Sequence, residues 1–154
     1  MMGNLAGGLA ARGCRVDLVV KSADGLPFLM QRSPAIRLVE LGSGRRHALM
    51  EGLSGYLKDA APRVLLSARI KNGHCLALQS RRRTGVSTRV FLRIATHMSS
   101  RGRNQVFVKR MRERRAFGSA IRQADGLIAV SRGVASDTAK ICGISPSSIH
   151  VLPN

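Results

Sequence analysis

His97 stands just past an apolar stretch running from Thr88 to Ala95, in the segment Thr96-His97-Met98-Ser99-Ser100. An imidazole in that position can donate to a hydroxyl or a phosphate oxygen near neutral pH, the range in which histidine changes charge readily. Ser131 follows another apolar stretch, Leu127 to Val130, in the same way, and Arg69 and Asn72 follow Val64 to Ala68. Arg69, Ser99 and Arg101 are placed to contact phosphate. Ser131 and Asn72 can equally serve as helix caps, and His97 can equally be a loop residue facing solvent. His47, His74 and His150 read as structural or surface residues.

Several chemistries lack the residues they need. The three cysteines, Cys14, Cys75 and Cys142, are far apart and have neither metal-ligand nor redox spacing. They read as small buried residues in a reducing compartment, and no metal site is expected. Gly42-Ser43-Gly44 offers two glycines of a dinucleotide fingerprint, but His47 occupies the place of the third. A phosphate-binding Gly-Lys-Ser/Thr loop and a Gly-x-Ser-x-Gly nucleophile elbow are both missing from the sequence.

The elements that must carry these residues alternate along the chain. Arg15–Val20, Ile36–Leu41, Val64–Ala68, Thr88–Ala95, Gly126–Val130 and Ile149–Leu152 read as strands. Helices are predicted over 4–12, 47–60, 72–83, 106–123 and from Ser131 to Gly143. Leu49, Leu53 and Leu57 recur every four residues in the second of these, and Pro62 ends it. Arg81, Arg82 and Arg83 close the third, where cations suit the helix dipole. This alternation predicts an α/β class: a single Rossmann-like, three-layer domain over residues 1–154, with a mostly parallel sheet. In such sheets ligands gather beyond the carboxyl ends of the strands, which are the loops holding Arg69, His97 and Ser131.

The chain has 154 residues, 44% of them hydrophobic and 3% aromatic, and a formal net charge of +18. Fifteen of its 26 Lys and Arg lie between Arg69 and Arg122, against one acid, Glu113. Such a field attracts polyanions. The helix predicted over 106–123 places Phe107, Met111, Phe117 and Ile121 on one face, shared with Arg110 and Arg114. Phe107, Lys109, Arg110, Arg112, Arg114 and Arg115 therefore form a candidate membrane-docking set, whose guanidinium groups would meet lipid phosphates; a solvated basic face is the alternative. No apolar run approaches the ~18 residues of a membrane span. The first residues lack a basic, apolar leader, so a cytoplasmic location is expected, extending to the inner face of the membrane if this helix docks there.

Five blocks, in order, resemble family 4 glycosyltransferases. Leu5-Ala6-x-x-Leu9-Ala10-Ala11-Arg12-Gly13-x-x-Val16-Asp17-Leu18-Val19 is similar to that family's first helix and second strand, with Cys14 where histidine is usual. Leu65-Leu66-Ser67-Ala68 with Asn72, then Gly85-Val86-Ser87-Thr88-Arg89-Val90, resemble the middle of the same domain. Ala124-Asp125-Gly126-Leu127-Ile128-Ala129-Val130-Ser131-x-Gly133-Val134-Ala135 looks like the next strand and helix. Ile144 to Asn154, with Ile149-His150-Val151-Leu152-Pro153-Asn154, is similar to the segment that closes the domain.

The resemblance implies the N-terminal, acceptor-side half of a GT-B fold, in which two Rossmann-like domains face each other across a cleft. It implies retaining, metal-independent transfer from a nucleotide-sugar to a glycan or lipid-linked acceptor, with His97 as the catalytic-cleft histidine and Arg69, Asn72, Ser99, Arg101 and Ser131 on the acceptor side. The family's first strand and Gly-rich loop would precede Met1, and its donor domain, with a pair of glutamates, would follow Asn154. The absent strand would lie between Arg15–Val20 and Val64–Ala68. No cofactor is expected for this half, since the nucleotide-sugar belongs to the other domain, which a separate chain could supply. Such a half is expected to be inactive by itself. The alternative is a basic, non-catalytic module binding anionic membrane or nucleic acid, although the scarcity of aromatics disfavours a specific nucleic-acid partner.

Overall fold

The computed structural model describes residues 2–23, 35–42, 44–68, 73–100 and 107–153, the last stretch with side chains from residue 111 onward. Helices and strands alternate as predicted: α1 (Met2–Ala10), β1 (Val16–Val20), β2 (Ile36–Glu40), α2 (Arg46–Ala60), β3 (Val64–Ser67), α3 (Gly73–Thr84), β4 (Arg89–Ile94), α4 (Phe107–Gln123), β5 (Gly126–Ala129), α5 (Arg132–Cys142) and β6 (Ile149–Val151). Every strand pair is parallel. The described strands form two sheets instead of one, ordered β1-β2 and β3-β4-β5-β6. The chain likewise divides into two compact units, residues 1–55 and 56–154.

In the first unit β1 and β2 pair in register from Val16 with Ile36 to Val20 with Glu40. Arg37 reaches across the ladder to Asp17, its Nε 3.0 Å from Oδ1. α1 packs on both strands, burying Ala6 and Ile36. Gly13 takes φ +78 in the turn that follows α1, a backbone state open to glycine. β1 is half-buried along its length. Its Val-Leu composition predicts fuller burial, but among the described strands β2 is its only partner. Cys14 is exposed, contrary to the buried role expected of it, and lies in the short link between that turn and β1.

The second unit holds the larger core. Val90, Leu92 and Ile94 alternate along β4, so all three point to one face, and each is fully buried. They join Leu127 and Ala129 of β5, Ile149 of β6, Ala77 and Leu78 of α3, Phe117, Ala120 and Ile121 of α4, and Val134, Ala135 and Ala139 of α5. Burying each large aliphatic or aromatic side chain of this set contributes about 1.5–3 kcal/mol. α4 packs between α3 and α5. The sequence explains the placement of α5. Ser131 caps its start, accepting from the Val134 N–H at 3.2 Å. Gly143 closes it at φ 65 with its N–H on the Ala139 carbonyl, a left-handed cap that favours glycine.

Candidate functional site

The loop after β4 and the first turn of α5 meet at the carboxyl end of the sheet. Three sequence features tie the loop down. Met98 buries its side chain in the core at 5% exposure. Asp137 of α5 accepts the backbone N–H of Met98 at 2.6 Å and of Ser99 at 3.1 Å. The Ser100 hydroxyl donates to the His97 carbonyl at 3.0 Å. His97 itself is exposed. Its imidazole lies against Gly133, where a Cβ would stand 3.3 Å from Cε1, 3.7 Å from Nε2 and 3.9 Å from the Ser131 hydroxyl.

The structure thus brings together three residues that sequence reasoning singles out: His97, Ser99 and Ser131. Their jobs differ. Ser99 gives both its backbone N–H and its hydroxyl to Asp137, so it holds the loop. Ser131 is the α5 cap, an exposed residue whose hydroxyl lies, like the imidazole, beside Gly133. His97 is exposed, with its ring against Gly133. Arg69, Asn72 and Arg101 lie outside the described residues.

Asp137 sets the local electrostatics. Burial raises its pKa, but this is outweighed by the hydrogen bonds from the Ser99 hydroxyl and from the Ser99 and Met98 N–H groups, with help from the charge of His97. The carboxyl is therefore held below its ordinary 3.8 and is ionised at neutral pH. It is the sole acid between Gly126 and Asn154, and sequence reasoning missed it along with Gly133. Their spacing of four residues puts them on one helix face, the only signal the sequence offered.

At the end of β3 a second polar pair is buried: Ser67 Oγ lies 2.8 Å from Nδ1 of His74, which is 1% exposed. This supports the structural reading of His74. His150 is exposed on β6, and His47 is exposed with Nε2 3.6 Å from Glu51. Among the described residues no cluster of His, Cys, Asp and Glu could hold a metal.

On α4, Arg112, Arg114 and Arg115 are exposed, while the side chains of Phe107, Lys109 and Arg110 lie outside the described residues. Phe117 and Ile121, which the sequence places on the same face as Phe107 and Met111, are in the core. Met111 is 38% exposed. No described helix is long and apolar enough to cross a membrane.

A parallel, Rossmann-like α/β chain with a loop site beyond its strands corresponds to one half of a GT-B fold, and the solved structures similar to it agree. A putative UDP-N-acetylglucosamine 2-epimerase from Listeria monocytogenes superposes with a TM-score of 0.67 at 14% identity, covering 96% of this chain and 40% of its own. A UDP-N-acetylglucosamine 2-epimerase from Rickettsia bellii gives 0.60 at 16% identity, covering 97% and 41%. The chain therefore spans about two fifths of the length of these structures. The whole chain, residues 1–154, matches the glycosyl transferase 4-like domain and belongs to that family. A comparison with curated proteins finds no significant match.

Proposed function

We propose that this chain is the acceptor-side half of a retaining, metal-independent glycosyltransferase that moves a sugar from a nucleotide-sugar to a glycan or lipid-linked acceptor. The observation that carries this reading is the exposed His97 imidazole, held beside Ser131 at the first turn of α5, in a chain of this family. There the ring can donate to an acceptor hydroxyl or phosphate oxygen, while the Ser131 hydroxyl adds a second polar contact. Helix N-termini also favour partial negative charge. The nucleotide-sugar falls to a donor domain, in the same protein or on a separate chain, and without it this half turns nothing over. It needs no cofactor of its own.

Titrating isotope-labelled chain with alkyl glycosides, oligosaccharides and sugar phosphates tests the reading by NMR. At least one ligand should shift the Met98, Ser99 and Gly133 amides saturably, and His97→Ala should abolish that response. If no member of the panel shifts those amides at millimolar concentration, the acceptor reading is wrong.

The exposed row Arg112, Arg114 and Arg115 supports a location for this activity at the cytoplasmic face of an anionic membrane, where lipid-linked acceptors reside. With Phe117 and Ile121 committed to the core, docking by this segment is electrostatic. It should therefore weaken with salt. Flotation with vesicles of neutral and anionic lipid tests this: equal binding to both would exclude it. The high charge also predicts non-specific nucleic-acid binding at low salt, without a sequence-specific partner.

A further inference from the structure

We propose that Gly133 and Asp137 are positioning residues for His97, forming a two-part seat on one face of α5 that fixes where the imidazole stands. The proposal builds on the reading of His97 as the acceptor-facing group, but the seat can be tested with no acceptor present.

Gly133 is the first part. It sits in the first turn of a helix and is absent from the described positive-φ glycines, so its backbone does not demand glycine. A glycine within a helix instead costs up to about 1 kcal/mol relative to alanine. What the missing side chain provides is room, since a Cβ would stand 3.3 Å from Cε1 of His97. That is closer than carbon atoms normally pack, so any other residue here would push the ring away.

Asp137 is the second part. Lying one turn further along α5, it faces the same way as Gly133. It receives the N–H groups of the two residues that follow His97, together with the Ser99 hydroxyl. The side chain of Met98 is anchored in the core and the His97 carbonyl is held by Ser100. The backbone on the C-terminal side of His97 is thus fixed, and the ring's remaining freedom is rotation about its own side-chain bonds. Gly133 limits that rotation by leaving room for the Cε1–Nε2 edge of the ring. An exposed histidine on a loop would otherwise sample several rotamers. The same helix therefore grips the chain and receives the ring, so the imidazole and the Ser131 hydroxyl keep a fixed spacing.

The test is the NMR signature of the His97 ring in the full chain. In the wild type, a cross-relaxation peak should connect His97 Hε1 to the Gly133 α-protons, and the ring should show restricted motion. Gly133→Ala should displace the ring, shifting its Hε1 resonance and raising its mobility, while the melting temperature stays the same or rises because alanine is the better helix former. A purely structural glycine would not separate those two readouts. Asp137→Ala should abolish contact between the ring and residue 133. Asp137→Asn, which keeps one acceptor oxygen, should retain part of it and guards against loss of fold in the alanine variant. An unchanged Hε1 signal in Gly133→Ala, or a ring contact that survives both Asp137 variants, would overturn the proposal. If the seat is present but no sugar ligand shifts the site in the wild-type titration, it is the acceptor reading that falls.

Discussion

Asp125 in the turn before β5 accepts the backbone N–H of Val90 at 2.7 Å, through the same Oδ2 that pairs with Arg81 at the end of α3. Val90 is fully buried, so losing this acceptor strands a buried donor, at a cost of about 1–3 kcal/mol. The ion pair itself is partly solvated, and such pairs contribute about 1 kcal/mol or less. Asp125→Ala should therefore lower stability by about 1–3 kcal/mol and Arg81→Ala by less than about 1 kcal/mol. Urea denaturation of the two variants checks the order. Equal losses would show that the carboxylate acts through arginine and not through the backbone of β4.

Gly126, the next residue, lies against the ring of Phe91 on the neighbouring strand, and an added Cβ would overlap Cδ1 and Cε1 of that ring. The two residues are register partners, so neither can step aside without bending the ladder. Gly126→Ala should destabilise by about 1–3 kcal/mol, the usual cost of overpacking. Phe91→Leu in the same chain should recover much of the loss, because neighbouring substitutions couple. A double-mutant cycle by thermal melting measures that coupling, and strict additivity would contradict the contact.

The order of elements was legible because each carries its own local signal. Ser131 and Gly143 bracket α5 in the sequence as they do in the structure, and the alternation in Val90, Leu92 and Ile94 marks one face of β4. What could not be read were the contacts that local patterns do not encode. Asp137 finds Met98 39 residues away, and nothing in the spacing of either residue names the other. The apolar face of α4 shows the complementary limit. Periodicity finds Phe117 and Ile121 on one face, but a face that packs in a core and one that meets lipid have the same period. The structure assigns both residues to the core. The division of the described strands into two sheets has no local signal in the sequence. The half-burial of β1 follows from its described pairing and not from its composition.

Ala61, just past α2, has φ 39, in the left-handed region that costs a side-chain-bearing residue roughly 1–2 kcal/mol. Its N–H closes the helix on the Leu57 carbonyl at 3.1 Å, and Pro62 prevents the chain from continuing. Glycine relieves the steric cost but adds freedom to the unfolded chain, offsetting about 0.4–1 kcal/mol of the gain. Ala61→Gly should therefore raise stability modestly, by up to about 1 kcal/mol. The urea midpoint should rise with an unchanged slope. A fall would mean that the strain is absorbed elsewhere in the turn.

The hold of Asp137 on the His97 loop should depend on pH with a definite sign. Its folded pKa is depressed below the ordinary 3.8, so the folded chain binds the proton less readily than the unfolded one. Its contribution is therefore fully present above the ordinary value and is lost as pH falls through the lower, folded value. Asp137→Asn should cost stability at neutral pH, and the gap from wild type should close as the pH is lowered past 3.8. Urea midpoints of both chains across that range give the test. A gap that is the same at neutral and acid pH would show that the carboxylate's charge does not hold the loop and that its shape alone does.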